Sequence, residues 1–151
     1  MKKIIVIFFI VSFNLFCGQL KREVDFKEIN SYFSMTEAEL KKSKIKYSMV
    51  PIREGEEEGY LLTESGITLI YDYGILSFIE CSTNVNILGT KIGMPLKEIK
   101  KKLGKSKIIK FDIIGDDKPY YKLEYILNKR KVKFVRNDLE DRVIEITVFR
   151  E

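Results

Sequence analysis

The chain has 151 residues, with 27 Lys and Arg against 22 Asp and Glu and a formal charge of +5 at neutral pH. The basic excess is small and mostly lysine, without an arginine cluster of the phosphate-reading kind, so composition does not point to nucleic acid. There is no histidine, which removes the commonest general base, the commonest zinc ligand and every Ser-His or Cys-His nucleophile pair.

The N-terminus opens Met1-Lys2-Lys3 and continues as an apolar run from Ile4 to Phe16, broken only by Ser12 and Asn14. An export-signal core needs about 7–15 apolar residues and a membrane span about 20. The run therefore reads as a signal peptide over residues 1–16. Cys17 follows it, and Leu15-Phe16-Cys17-Gly18 resembles a bacterial lipobox, with Phe16 where a small residue is usual. The resemblance implies lipidation of Cys17, followed by a linker over 17–24. An uncleaved short anchor or an atypically cleaved secreted form is the alternative. The expected location is outside the cytoplasm, anchored in the bacterial cell envelope at the outer membrane or its periplasmic face, or else secreted. Several acyl chains on Cys17 would hold the domain at a membrane.

Without Lys2 and Lys3 the balance is 25 basic to 22 acidic residues. Residues 25–151 are long enough for one compact domain with a modest core. If Cys17 carries lipid, Cys81 is the remaining thiol and is expected to be a small buried strand residue. The acidic runs Glu56-Glu57-Glu58 and Asp116-Asp117 lie beside Gly or Pro and read as solvated loop charge. Catalytic residues, metal ligands and cofactors are therefore all expected to be none.

A first short helix is expected where Phe26, Ile29 and Phe33 share one face, over Asp25 to Phe33. Thr36 and Glu39 then form a T-x-x-E capping box for a second helix. Strands follow at Ile45 to Ile52, Tyr60 to Thr63, Ile67 to Tyr71 and Ile75 to Cys81, punctuated by Glu64-Ser65-Gly66 and Asp72-Tyr73-Gly74. Leu96, Ile99 and Leu103 form the apolar stripe of a further helix, with Pro95 suited to its first turn and Gly104 to a left-handed cap. Strands are then expected at Lys107 to Ile114, Tyr120 to Leu127, Val132 to Arg136 and Arg142 to Phe149. Tyr121, Leu123 and Tyr125 share one strand face, as do Ile144, Ile146 and Val148. One side of the sheet should thus be covered and the other wet.

The two halves are weakly self-similar. Met35-Thr36-Glu37-Ala38-Glu39-Leu40-Lys41-Lys42 aligns with Met94-Pro95-Leu96-Lys97-Glu98-Ile99-Lys100-Lys101. The fold expected is α+β: tandem helix-plus-four-strand (α-β4) repeats, over about 25–83 and 84–151. They would form one curved antiparallel sheet with helices on one face.

The segment Lys91-Ile92-Gly93-Met94-Pro95-Leu96-Lys97-Glu98-Ile99-Lys100-Lys101-Lys102-Leu103-Gly104-Lys105 resembles a motif of the small outer-membrane-assembly lipoproteins of the SmpA/OmlA type. The β-lactamase-inhibitor-protein-like (BLIP-like) domains share that motif. Gly93, Met94, Glu98, Leu103 and Gly104 match; Pro95 replaces the usual Ser or Thr, and Ser106 stands where Pro often follows. The resemblance implies tandem α-β4 units whose concave sheet face binds another protein. Such a fold serves several jobs, so it does not choose among them. The function expected is a non-enzymatic envelope lipoprotein acting as a protein-binding or assembly module. The alternative is a secreted or periplasmic inhibitor or immunity protein that blocks a hydrolase or toxin. The expected partners are an unidentified protein and, through the lipid, a membrane. Tyr60, Tyr71, Tyr73, Tyr120 and Tyr121 lie near turns or strand starts and are the candidate partner-binding residues. Seven lysines between Lys97 and Lys110 read first as a solvated helix face and second as a membrane-surface patch.

Overall fold

In the computed structural model the described residues are 22–52, 58–82, 84–113, 117–137, 139 and 141–150. The expected signal peptide, Cys17, Glu56, Glu57 and Asp116 lie outside them. Strand β1 (Val24–Asp25) leads into helix α1 (Phe26–Tyr32) and helix α2 (Glu37–Lys42). Four strands follow: β2 (Tyr47–Pro51), β3 (Glu58–Leu62), β4 (Ile67–Asp72) and β5 (Ile75–Cys81). After β6 (Val85–Asn86) come helix α3 (Leu96–Leu103), β7 (Ile109–Phe111), β8 (Tyr120–Leu127), β9 (Arg130–Asn137) and β10 (Glu145–Phe149).

Eight strands make one antiparallel sheet in the order β2-β3-β4-β5-β10-β9-β8-β7. The chain runs down one meander, leaves the sheet through β6 and α3, and returns from the far edge to close β10 against β5. Strands β1 and β6 form a separate parallel pair, Val24 beside Val85.

This overturns the α+β expectation. Among the described residues the protein is mostly β, with three short helices and 18% helical content. The physical reason lies in what the helices bury. Helix α2 has six residues and buries Leu40 alone; α3 has eight and buries Leu96 and Ile99. Segments of two turns do not make a second layer; they plug one side of a sheet. The halves also differ in their helices, two before β2 and one before β7, and the parallel β1–β6 pair was not anticipated.

The helices form where sequence chemistry places them. Asp25 caps α1 by accepting from the Glu28 N–H at 2.8 Å. Thr36 and Glu39 complete the capping box of α2, with the Thr36 N–H donating to Glu39 at 2.7 Å. Pro95 is the N-cap of α3 rather than part of its first turn. Gly104 ends α3 at φ 97°, ψ −175°, outside the left-handed helical region expected but still in territory that glycine alone enters freely. Glu58, expected in a loop, begins β3, and of the strand expected over Lys107 to Ile114, whose last residue lies outside the described ones, β7 keeps Ile109–Phe111.

Ile29, Leu40 and Ile99 from the helices pack on Leu69, Ile79, Leu123, Phe134 and Ile146 from the sheet, all fully buried in one cluster. Cys81 belongs to it as well, and burial holds its thiol protonated. The motif Gly93-Met94 ties α3 to the sheet: the Gly93 N–H donates to Val143 O at 2.8 Å, and the Val143 N–H donates to Met94 O at 2.9 Å. Gly93 makes this turn at φ 85°. The start of α2 is fastened similarly, its Glu37 N–H donating to Gly74 O in the β4–β5 turn at 3.0 Å. Among the described residues no helix is long and apolar enough to cross a membrane.

Candidate functional site: the open face of the sheet

Side chains on a strand alternate between faces, so the registers divide every strand in two. Leu69, Ile79, Val148 and Val132 lie abreast on the helix side. Ile70, Phe78, Phe149, Lys131 and Ile126 lie abreast on the other. Ile70 and Val135 are each 4% exposed, yet neither belongs to the core cluster that the helices complete. They form the floor of a second surface.

That surface carries a strip of aromatic and charged side chains. Phe78 of β5 and Phe149 of β10 pack with ring centroids 5.7 Å apart. The ammonium groups of Lys131 and Lys133 sit 5.8 and 5.5 Å from the Phe149 centroid. Further along, Phe111 and Tyr120 pair at 5.7 Å, with Lys122 5.7 Å from the Phe111 ring. Glu124 links the two groups, 2.9 Å from Lys122 and 3.3 Å from Lys131. Burial pushes the Glu124 carboxyl upward, but the bonds from Lys122 and Lys131 outweigh it and hold the group below its ordinary range. Glu145 accepts from Thr147 at 2.7 Å and lies 3.8 Å from Lys133. The three lysines of the strip are already paired, Lys122 and Lys131 with Glu124 and Lys133 with Glu145. Each ammonium over a ring contributes about 0.5–1 kcal/mol where exposed and more once desolvated. A partner that excludes water from these pairs would therefore strengthen them.

Gly59 bounds the strip on β3. A Cβ there would meet Thr68 Cγ2 at 2.6 Å and Ile52 at 3.2 Å, so the glycine lets two neighbouring side chains close over the strand.

The five tyrosines expected to bind a partner do not form one site. Tyr60 is 4% exposed on the helix side, edge-on to Tyr47 and Tyr71 at 5.1 and 5.7 Å. Its hydroxyl donates to Glu37, which also pairs with Lys41 at 2.6 Å. Burial, reinforced by Glu37, raises the Tyr60 pKa. Tyr71 is half-buried beside it, its hydroxyl without a hydrogen-bond partner and its pKa pushed by burial to about 12. Tyr121 faces the helix side with the Arg136 guanidinium 4.3 Å from its ring centroid. Tyr120 lies on the open face, and Tyr73 stands 99% exposed at φ 49° in the β4–β5 turn. Sequence reasoning missed Phe78, Phe149, Lys131, Lys133 and Glu124. The signal was present: Phe149 shares strand parity with Glu145 and Thr147, the side already marked as wet.

Elsewhere, Lys97, Lys101 and Lys102 are exposed on α3, while Lys110 lies on β7. A cleft of about 250 Å³ borders Arg22, Tyr32 and Ser65, and one of about 370 Å³ borders Glu23, Asn84 and Lys91; neither shares a residue with the open strip. Among the described residues, no group of three or more His, Cys, Asp or Glu side chains is placed to hold a metal ion. No protein-family model matches the chain, and no curated protein or solved structure matches it either.

Proposed function

We propose that this chain is a non-enzymatic protein-binding module of the bacterial cell envelope, exported by its N-terminal leader, anchored through lipid on Cys17, and engaging another protein with the open face of its sheet. The observation that carries the reading is the aromatic and charged strip across β5, β10, β9, β8 and β7. Aromatic side chains are enriched at protein interfaces, where the rings supply buried area, and charges around them supply register and selectivity. The leader and lipobox resemblance support placement at a membrane. The likeness of Lys91 to Lys105 to the envelope-lipoprotein motif supports an assembly role.

Two experiments test the parts separately. Palmitate labelling should tag the full chain and not its Cys17→Ala variant; unlabelled full chain would remove the anchor. Replacing Lys131 and Lys133 together by Gln should cut recovery of the envelope partner bound by the unaltered chain at least tenfold while leaving the thermal transition nearly in place, because their half-exposed pairs with Glu124 and Glu145 contribute little to folding. Undiminished recovery would refute the open-face site. If the partner is an enzyme and its activity falls on binding, the inhibitor form of the same reading holds.

A further inference from the structure

We propose that two copies of this chain join edge to edge through β7, antiparallel, with the two-fold axis at Phe111. Strand β7 is a terminal strand of the eight-stranded sheet, hydrogen-bonded to β8 on one side. Its neighbourhood is unusually apolar for an edge: Ile108, Ile109 and Ile113 are 41%, 37% and 45% exposed. Exposed apolar edges template pairing with another strand, and proteins that remain single guard them with prolines or charges. The opposite edge, β2, ends in Pro51; β7 and the residues after it carry no proline, and the charge at the centre of β7, Lys110, which would guard a lone edge, is answered by Asp112 in the pairing below.

The sequence selects both the occupant and the register. A two-fold axis perpendicular to a continuous sheet keeps each residue on its own face, so the axis must pass midway between one residue and its own copy. Centred on Lys110, it would set Lys110 against its own copy; centred on Asp112, it would set Asp112 against its own copy. Like charges directly opposite are unfavourable. Centred on Phe111, it sets Lys110 opposite Asp112 twice, Ile109 opposite Ile113 twice, and Phe111 opposite Phe111, a pairing that lengthens β7 beyond Phe111, where it ends in the single chain, to take in Asp112 and Ile113. Of these three centres, only the last makes every facing pair complementary. Such a contact is self-complementary and closed, as two-fold dimers require. It would place the Phe111–Tyr120 pair and Lys122 of both copies side by side and join the two open strips across the axis.

The test is oxidative cross-linking of the full chain in intact cells. Facing residues across the axis bring their Cβ atoms within about 4.5–5.5 Å, so Phe111→Cys should give a disulfide-linked dimer absent from the unaltered chain and at least tenfold weaker for Lys110→Cys. In the Phe111→Cys background, Lys110→Asp should cut the cross-link at least tenfold, and adding Asp112→Lys should restore it. Sedimentation of the unaltered full chain in detergent gives a second readout, expected at twice the monomer mass. A monomer there, equal cross-linking at 110 and 111, or indifference to the charge exchange would each overturn the proposal.

Discussion

Along β10, Ile146 and Val148 turn towards the helices and are fully buried, while Glu145, Thr147 and Phe149 turn the other way. On β9, Val132 and Phe134 face the helices, and Lys131, Lys133 and Val135 do not. The same strands thus build two surfaces with different physics. The helix side gains its stability by removing hydrocarbon from water. The open side holds rings under ammonium groups and carboxylates between lysines, interactions that cost little to keep in water and gain when water leaves. A surface organised in this way contributes modestly to folding and is suited to binding.

Truncating one ring on each side separates the two surfaces most directly. Phe134→Ala should cost about 3–5 kcal/mol, because Phe134 is fully buried and its neighbours cannot collapse into the space. Phe149→Ala should cost about 1 kcal/mol or less. Thermal denaturation of the two variants checks this, and equal losses would show that the faces are energetically alike.

Next in size is the response of the helix side to alkali. Burial pushes the hydroxyls of Tyr71 and Tyr32 up to about 12, the latter helped by its bond to Glu28. Unfolded tyrosine ionises near 10, so the unfolded chain gives up protons first. The stability these rings add is complete below pH 10 and is lost as pH rises from 10 through 12. Melting temperature followed between pH 8 and 12 should fall steeply above 10, and a Tyr32→Phe, Tyr71→Phe variant should fall less.

Gly59→Ala should cost about 1–3 kcal/mol, since the added methyl meets Thr68 at 2.6 Å in a strand that must keep its register. A melt indistinguishable from that of the parent chain would mean that β3 shifts freely. Thr36→Ala should cost about 1 kcal/mol by removing the hydroxyl of the α2 capping box. Denaturant titration measures it, and a loss beyond about 2 kcal/mol would mean that α2 is more than a plug.

Much of the sheet was legible because period-2 alternation is local. Ile75 to Cys81 and Tyr120 to Leu127 are strands over the residues expected. The fold class was not, because capping signals report that a helix exists but not how much it buries: α2 shows a complete capping box around a single buried leucine. The β1–β6 pair is two residues long on each side and carries no periodic signal. For the candidate site, nearness to turns was the wrong criterion. Tyr60 lies two residues before Leu62 and opposite Leu69, so parity places it in the core. Parity also identifies Phe149 as an open-face ring, but its packing against Phe78 depends on β5 meeting β10 across nearly half the chain.

The uncovered side of the sheet is where another protein is proposed to bind. Site-specific photo-cross-linking in intact cells tests it, with a photoreactive phenylalanine placed at Phe78, at Phe149 and, as a control, at Lys101 on the outer face of α3. One adduct common to positions 78 and 149 is expected, lost when Lys131 and Lys133 are both Gln, and none from 101. Adducts from 101 alone, or none from 78 and 149 in a chain that still binds its partner, would contradict it.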